Sequence, residues 1–220
     1  MSFSFTEENY LKAIYHLSNG GNKSVSTNTI AEELDTTAAS VSDMIKKLAS
    51  KDLVSYKKYH GTNVSEKGKT IALQIIRKHR LWEVFLVEKL QFSWDEVHEV
   101  AEQLEHIESP LLISRLDSFL DFPKIDPHGD PIPNEHGEIT VGPQFPLTEL
   151  AMNTQAVFTA VENTESLFLK HLDNLGIRLG LKFSIIQRAD FDGSSVILLE
   201  SGEKVFMSKE VGRNLLVRNI

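Results

Sequence analysis

The densest run of potential ligands in the chain is Val97-His-Glu-Val-Ala-Glu-Gln-Leu-Glu-His106. On a helix, His98, Glu102, Glu105 and His106 fall at i, i+4, i+7 and i+8, which places all four on one face within two turns. His79 and Glu83 form a further i, i+4 pair. Clustered carboxylates repel one another and resist desolvation, so such a face is more comfortable around a divalent cation than without one. An acidic helix with two histidines also serves as a solvated surface, and spacing alone leaves both readings open. Oxygen donors with imidazole and no sulfur favour Mn(II) or Fe(II) over copper(I) and thiolate zinc, while Zn(II) or Ni(II) would still bind in vitro. The remaining histidines carry less: His16, His60 and His171 stand singly, and His128 and His136 lie in a proline-rich stretch with no spaced partner.

A second set of residues suits a polyanion. From Thr37 to Lys69 there are seven Lys against Asp43, Asp52 and Glu66, a net charge of +4, although the whole chain carries −8. From Gln91 to Thr140 the balance reverses to −10, with four of the eight His. Thr37, Ala39, Ser40, Ser42 and Asp43 form the polar start of a helical pattern, where short side chains reach base edges in a major groove. Lys46, Lys47, Lys57, Lys58 and Lys67 would displace counterions from the phosphate backbone, with Tyr56 or Tyr59 adding contacts. No Arg or Gln stands ready for a bidentate base contact, so methyl and shape readout are expected to dominate. Read otherwise, these lysines are a solvated face on a module used for protein contacts.

These residues need elements to position them. Thr6 reads as the N-cap of a first helix with Tyr10, Leu11, Ile14, Tyr15 and Leu17 on its apolar face, ended by Gly20-Gly21. Helices over Asn28–Leu34 and after Thr37, the latter with Val41, Met44, Ile45 and Leu48 buried, make a helix-turn-helix. An alternating run from Leu53, the His60-Gly-Thr62 turn and Asn63–Ser65 read as a wing. A long helix from about Glu66 to about Leu90 has Ile71, Leu73, Ile75, Ile76, Leu81, Phe85 and Leu86 as surplus apolar surface, available to pack against another subunit. Helical patterns continue over Trp94–His106 and Pro110–Leu120. Six of the seven prolines and three glycines lie between Phe122 and Pro146, a linker and a domain boundary. Beyond it, strands are expected at Ala156–Ala160, Lys182–Arg188, Ser195–Glu200, Lys204–Met207 and Leu215–Val217, with a short helix Glu165–Leu172. The hairpin turns at Asp192-Gly193 and Ser201-Gly202 suit a small β-barrel.

Composition narrows the alternatives. The 220 residues contain 41 % hydrophobic and 25 % charged side chains, values of an ordinary globular protein. The absence of cysteine excludes disulfides, thiolate zinc fingers, iron–sulfur clusters and a cysteine nucleophile. Met1 to Tyr10 lacks the pattern of a secretory signal and no stretch reads as a membrane span, so a cytoplasmic location is expected. Paired Glu-x-x-His motifs, a His-Glu-x-x-His motif, a Gly-rich phosphate loop and a nucleophile elbow are all missing, so no enzymatic activity is expected.

A winged helix, an acidic His-bearing helix, a proline-rich joint and a small β-barrel, in that order, resemble the diphtheria toxin repressor and manganese transport regulator family. The resemblance covers essentially the whole chain. It rests on Glu8-Asn-Tyr-Leu-Lys-Ala-Ile-Tyr15, Ala39-Ser-Val-Ser42, Lys78-His-Arg-Leu81, Glu102-Gln-Leu-Glu-His106 and Asp126-Pro-His-Gly-Asp-Pro-Ile-Pro133. Residues around Leu175-Gly-Ile-Arg-Leu-Gly180 are similar to the SH3-like module of ferrous iron transport protein A. The resemblance implies a mainly α protein with a small β domain: a winged helix-turn-helix DNA-binding domain (1–70), a helical metal-binding and dimerisation domain (71–121), a Pro-rich linker (122–147) and an SH3-like domain (148–220).

It further implies a homodimeric repressor of metal homeostasis that binds palindromic operators when loaded with Mn(II) or Fe(II) at two sites per chain. Glu102, Glu105 and His106 would form the primary site with Asn9 from the first helix. His79, Glu83 and His98 would form the other, completed by Glu165 or Glu162 from the C-terminal domain. Iron-type members carry Met at position 9 and Cys at 102, where this chain has Asn9 and Glu102. Manganese-type members carry a carboxylate at 9 and another on the next turn, where this chain has Asn9 and Lys12. Glu102, a second hard anion, favours Mn(II). The alternative reading is a metal-independent winged-helix regulator with a small-molecule ligand at the dimer core. The β domain is either a docked ligand donor or a tethered module for protein contacts.

Overall fold

In a computed structural model, which describes residues 3–57, 60–140 and 142–220, the chain divides into two compact units. Residues 1–82, 101–117 and 132–139 form the first, and residues 83–100, 118–131 and 140–220 the second.

The first unit begins with α1 (Phe5–Leu17), opened by a reciprocal cap: Ser4 Oγ accepts from the Glu7 amide at 3.3 Å, and Glu7 Oε2 accepts from the Ser4 amide at 2.8 Å. The sequence points to Thr6 as the cap. Ser4 takes the position because Glu7, three residues on, returns the bond, whereas Thr6 has Asn9 at that spacing. Ser26 caps α2 (Thr27–Glu33) and Thr37 caps α3 (Ala38–Ser50), with Asp35 at φ 44° in the tight turn between them. Leu11, Ile14, Ile30, Val41, Ile45, Leu48 and Leu53 close a core beneath the three helices. Burying each such side chain stabilises the unit by about 1.5–3 kcal/mol.

Strands β1 (Val54–Lys57) and β2 (Gly61–Val64) pair antiparallel from Val54↔Val64 to Lys57↔Gly61 and form the expected wing. Gly61 sits at φ +88° with a Cβ position only 2.6 Å from the Val25 carbonyl oxygen, so the turn admits no side chain there. Lys58 and Tyr59, expected at the tip of this wing, lie outside the described residues.

Helix α4 (Glu66–Leu90) runs 25 residues, and the division between the units falls inside it. Its apolar surplus is mostly used within the chain: Leu73, Ile75, Ile76, Leu81 and Leu86 are buried. The large apolar side chains left exposed in this region are instead Leu90 and, on α6 (Pro110–Phe119), Leu111, Leu112 and Phe119. Arg77 ties α4 to its surroundings in the first unit, donating to Asp117 Oδ2 at 2.5 Å and to the Pro133 carbonyl at 2.7 Å.

The second unit is built on a six-stranded antiparallel sheet of β3 (Phe145–Pro146), β8 (Leu215–Asn219), β4 (Gln155–Val161), β5 (Lys182–Arg188), β6 (Ser195–Leu199) and β7 (Lys204–Met207), in that order. Alternate residues such as Phe158, Ile185, Ile197 and Val217 fill its core, where Phe158 stacks on Phe183 at 4.2 Å. Beside it lie α7 (Ser166–Asn174) and α8 (Lys209–Arg213); the sequence expects α7 but not the one-turn α8, which Ser208 caps. Between Phe122 and Gln144 no described residue belongs to a helix or strand, as the prolines require. No helix among the described residues is long and apolar enough to cross a membrane.

The segment that precedes α5 (Val97–Leu104) is fixed to α7: Trp94 Nε1 donates to Asp173 Oδ2 at 3.0 Å, Ser166 Oγ to Asp95 Oδ2 at 2.9 Å, and Lys170 Nζ lies 3.1 Å from the same oxygen. Burial alone would raise the Asp95 pKa, but hydrogen bonds from Ser93, Lys170 and Ser166 and the Lys170 charge overcome it and hold the carboxyl below its ordinary 3.8. A carboxyl with a lowered folded pKa binds fewer protons than in the unfolded chain. Its stabilisation is therefore present above the unfolded value and is lost as the pH falls. The urea midpoint is expected to drop between about pH 5 and about pH 3, and to drop less in Asp95→Asn. Equal drops in the two proteins would rule out this carboxylate as a source of acid sensitivity.

Candidate metal centre

Within each unit some of the residues singled out for ligation come together. In the first unit, α1 contributes Glu8 and Lys12, α4 contributes His79, and the end of α5 with the turn behind it contributes Glu102, Glu105 and His106. The helix stops at Leu104, but the Glu105 amide still donates to the Ala101 carbonyl at 2.8 Å, so the side-chain spacing carries one residue past the formal end. Glu105 is fully buried. Its carboxylate lies 2.6 Å from His79 Nδ1 and accepts from Lys12 Nζ at 2.7 and 2.8 Å. Lys12 Nζ also donates to Glu102 Oε1 at 2.5 Å. Next to this, His106 Nδ1 and Glu8 Oε2 are 2.5 Å apart, and the His106 ring stacks on Phe5 with centroids 4.5 Å apart.

Burial alone would raise the Glu105 pKa, but the hydrogen bond from His79 and the positive charge of Lys12 outweigh it and hold the carboxyl below its ordinary value. Glu105 is thus an anion in a place without water, the condition that a cation relieves. His79, Glu102 and Glu105 can each offer a ligand atom within 4.8 Å of the others. The neighbouring Asn9 adds an independent sign: its Oδ1 is buried and accepts no hydrogen bond. A buried amide oxygen left without a donor costs about 1–3 kcal/mol, and a hard cation satisfies it as well as a proton donor does. The donor set of carboxylates, amide oxygen and imidazole fits Mn(II) or Fe(II).

In the second unit, Glu83 of α4 lies 3.6 Å from His98 Nδ1 of α5 and 3.6 Å from His128 Nδ1. Glu83, Asp126 and His128 are all buried and can each offer a ligand atom within 4.8 Å of the others. The Asp126-Pro-His-Gly-Asp130 segment is a closed turn: Asp126 Oδ1 accepts from the amides of His128 and Asp130 at 2.8 and 2.9 Å. Gly129, at φ +88°, packs so tightly on β4 that a Cβ would stand 2.1 Å from the Thr159 carbonyl oxygen. His128 Nε2 lies 2.8 Å from the Trp94 carbonyl oxygen, and its ring stacks on Trp94. A carbonyl only accepts, so Nε2 carries a proton, which leaves Nδ1, on the Glu83 side, as the ring nitrogen that a cation would take. Burial favours the neutral ring, but the Glu83 and Asp126 carboxylates and the Trp94 carbonyl outweigh it and raise the His128 pKa above the ordinary value.

The structure therefore distributes the expected i, i+4, i+7, i+8 set over different partners. His98 meets Glu83, Glu105 meets His79, and His106 meets Glu8. Glu162 and Glu165 are exposed, Glu165 at the N-cap of α7, and neither is among the groups of possible ligands found in the described residues. Sequence spacing missed Glu8, Asp126 and His128. The usable signal for the last two was the Asp-x-His-Gly-Asp turn, which fixes an imidazole without any helical periodicity.

On the other face of α1, Glu7 is buried and pairs with Lys51 Nζ at 2.5 Å and Lys47 Nζ at 3.4 Å, both near the end of α3. Against the effect of burial, these lysines and the Ser4 amide hold its pKa down to about 2. Along α3, Thr37, Ala39, Ser40, Asp43, Lys46 and Lys47 are exposed and Ser42 half-exposed. The Ser42 hydroxyl donates to the Ala38 carbonyl at 2.8 Å, and Lys46 pairs with Asp43 at 3.0 Å. Lys57 is exposed at the end of β1, and Lys67 Nζ donates to the Lys51 carbonyl at 2.8 Å.

The winged helix and the buried carboxylate–imidazole cluster both have counterparts in known proteins. Residues 2–62 match the N-terminal DNA-binding domain of the iron-dependent repressors, residues 65–134 their metal-binding and dimerisation domain, and residues 145–219 the FeoA domain. The chain is 35% identical over 139 residues, 63% of its length, to the iron-dependent repressor IdeR of Mycobacterium tuberculosis, and the match spans 60% of that relative. Among solved structures, a manganese-dependent transcriptional repressor in complex with manganese superposes with a TM-score of 0.89 at 32% identity, covering 97% of this chain and 100% of that one. The manganese regulator SloR gives a TM-score of 0.75 at 34% identity, with 97% and 98% covered. The chain belongs to the iron-dependent repressor family, with an FeoA-type SH3-like β domain at its C-terminal end.

Truncating Glu105 tests how much of the first unit leans on this centre. Glu105→Ala leaves the largely buried Lys12 and His79 without their common counter-charge and is expected to destabilise the metal-free protein by about 3 kcal/mol, the low end for a broken buried pair. Chemical denaturation in a chelating buffer measures it; a cost below about 1 kcal/mol would show that the pair is not a structural element.

Proposed function

We propose that this chain is a homodimeric transcriptional repressor that binds palindromic operator DNA when a divalent metal, Mn(II) before Fe(II), occupies the centre on α1. The observation that carries the reading is the His79, Glu102 and Glu105 group, together with the buried Asn9 oxygen that lacks a donor on the helix that supplies Glu8 and Lys12. Membership of the family and the names of its manganese- and iron-dependent relatives support it.

In this reading Asn9, Glu102, Glu105 and His106 hold the activating ion. Glu83 and His98, the expected core of the second site, hold another together with Asp126 and His128, and His79 stands beside Glu105. The bound ion supplies positive charge at a place crowded with anions. The chain's own residues do the rest: Asn9 fixes α1 to the α5 end, and the Glu7 pairs with Lys47 and Lys51 pass the position of α1 to α3. Ordering α1 shifts the population toward an arrangement in which the two α3 helices of a dimer meet successive major grooves. Thr37, Ala39, Ser40, Ser42 and Asp43 then face base edges, while Lys46, Lys47 and Lys57 face phosphates. Exposed Leu111, Leu112 and Phe119 offer apolar area for the dimer contact.

Two measurements check the reading. Operator affinity is expected to rise at least tenfold with Mn(II), to vanish with EDTA, and to lose its metal response in His106→Ala; affinity indifferent to chelator would instead favour a metal-independent regulator. In a salt titration, log affinity should fall linearly with log salt, and Lys57→Gln should reduce the slope by about 1 per protomer. A slope unchanged by that substitution removes the wing from the phosphate contacts.

A further inference from the structure

We infer that Lys12 is a built-in competitor for the metal: its ammonium occupies the cation position of the first centre and must leave when a divalent ion enters. This rests on the reading of that centre as a metal site. An ammonium has three N–H donors, and the structure shows Lys12 Nζ meeting three carboxylate oxygens, Glu102 Oε1 at 2.5 Å and both oxygens of Glu105 at 2.7 and 2.8 Å. These are the oxygens that a metal would use. The side chain is only 14% exposed, and Glu105 is entirely shielded, so water does not screen the pair. An ion that takes these oxygens as ligands competes with the ammonium for the same lone pairs, and repulsion between the two positive charges favours withdrawal of the ammonium.

The geometry also supplies the exit. Lys12 stands on α1 one turn after Glu8, and its four-carbon stem lets the head move without unfolding the helix. Asn9, on the same turn of α1, has a buried oxygen to which Lys12 makes no bond. The tethered ammonium thus neutralises Glu102 and Glu105 while metal is scarce. It weakens apparent metal affinity by the fraction of time it holds the site, and so raises the concentration at which the centre fills.

The test is direct Mn(II) binding to the full chain, followed by electron paramagnetic resonance of the free ion and by competition with a chelating dye. Lys12→Met keeps the stem and removes the charge; it is expected to tighten Mn(II) binding at the first centre roughly tenfold or more, to lower the Tm of the metal-free protein, and to enlarge the Tm rise on adding Mn(II). Lys12→Arg keeps a cation and is expected to stay within about threefold of the natural affinity. Unchanged or weaker Mn(II) binding in Lys12→Met overturns the inference, and weaker binding would mean that Lys12 holds the carboxylates in place for the ion. Should Lys12→Met not fold, a crystal structure of the natural chain with Mn(II) decides. Nζ withdrawn from Glu102 and Glu105 supports displacement, and Nζ still bonded to both beside the ion rejects it. If the natural chain takes up no Mn(II) at all, the metal reading of the centre itself fails, a result distinct from equal affinities in the two proteins.

Discussion

The first unit depends on the charged residues of one helix. Neighbouring positions on an α-helix point about 100° apart, so α1 can turn Glu7 toward α3 while Glu8 and Lys12 face the end of α5. Glu7 is buried against Lys51 and Lys47; Glu8 meets His106; Lys12 meets Glu102 and Glu105. Each of these contacts joins α1 to a segment between 40 and 98 residues away. A small rotation or shift of α1 is therefore felt at once by the C-terminal end of α3 and by the cluster of acids, which makes the helix a lever rather than a passive layer of the core.

Hard ligands dominate both candidate centres, and the two solve the problem of buried charge differently. In the first, an ammonium already compensates the carboxylates. In the second, the work is done by orientation: Asp126 ties off a turn, Gly129 presses that turn on β4, and the Trp94 carbonyl decides which nitrogen of His128 carries the proton. The acidic excess of residues 91–140 is thus not simply a solvated face. Glu105 and Asp126 are among its buried members, whereas Glu99, Glu108 and Glu135 remain at the surface.

Most elements were legible in the sequence because they are written in local periodicity. Val41, Ile45 and Leu48 announce α3, the alternation from Ser195 to Leu199 announces β6, and the Gly61 turn announces the wing. Glu102 and Glu105 were legible as ligands for the same reason, being four and seven residues from His98. The pairs that periodicity cannot reveal are those across the fold. Glu8 and His106 are 98 positions apart, and His128 meets Glu83 only because an aspartate turn returns it to α4. Spacing along α5 overstated how far its face acts as one surface, since His98 and His106 end with different partners. The length of α4 suggested a surplus of apolar area, yet most of its Leu and Ile side chains are covered within a single chain, and the uncovered ones sit mainly on α6.

The cap of α1 has a consequence of its own. The same Glu7 side chain closes the first turn with Oε2 and anchors the far end of α3 with Oε1. Fraying at Ser4 and release of Lys51 are hence two views of one event, and the residues around Ser4 act as a clasp on α3. Any additional segment joined ahead of Ser4, or any molecule that holds the start of the chain, would have a mechanical grip on that helix without coming near it.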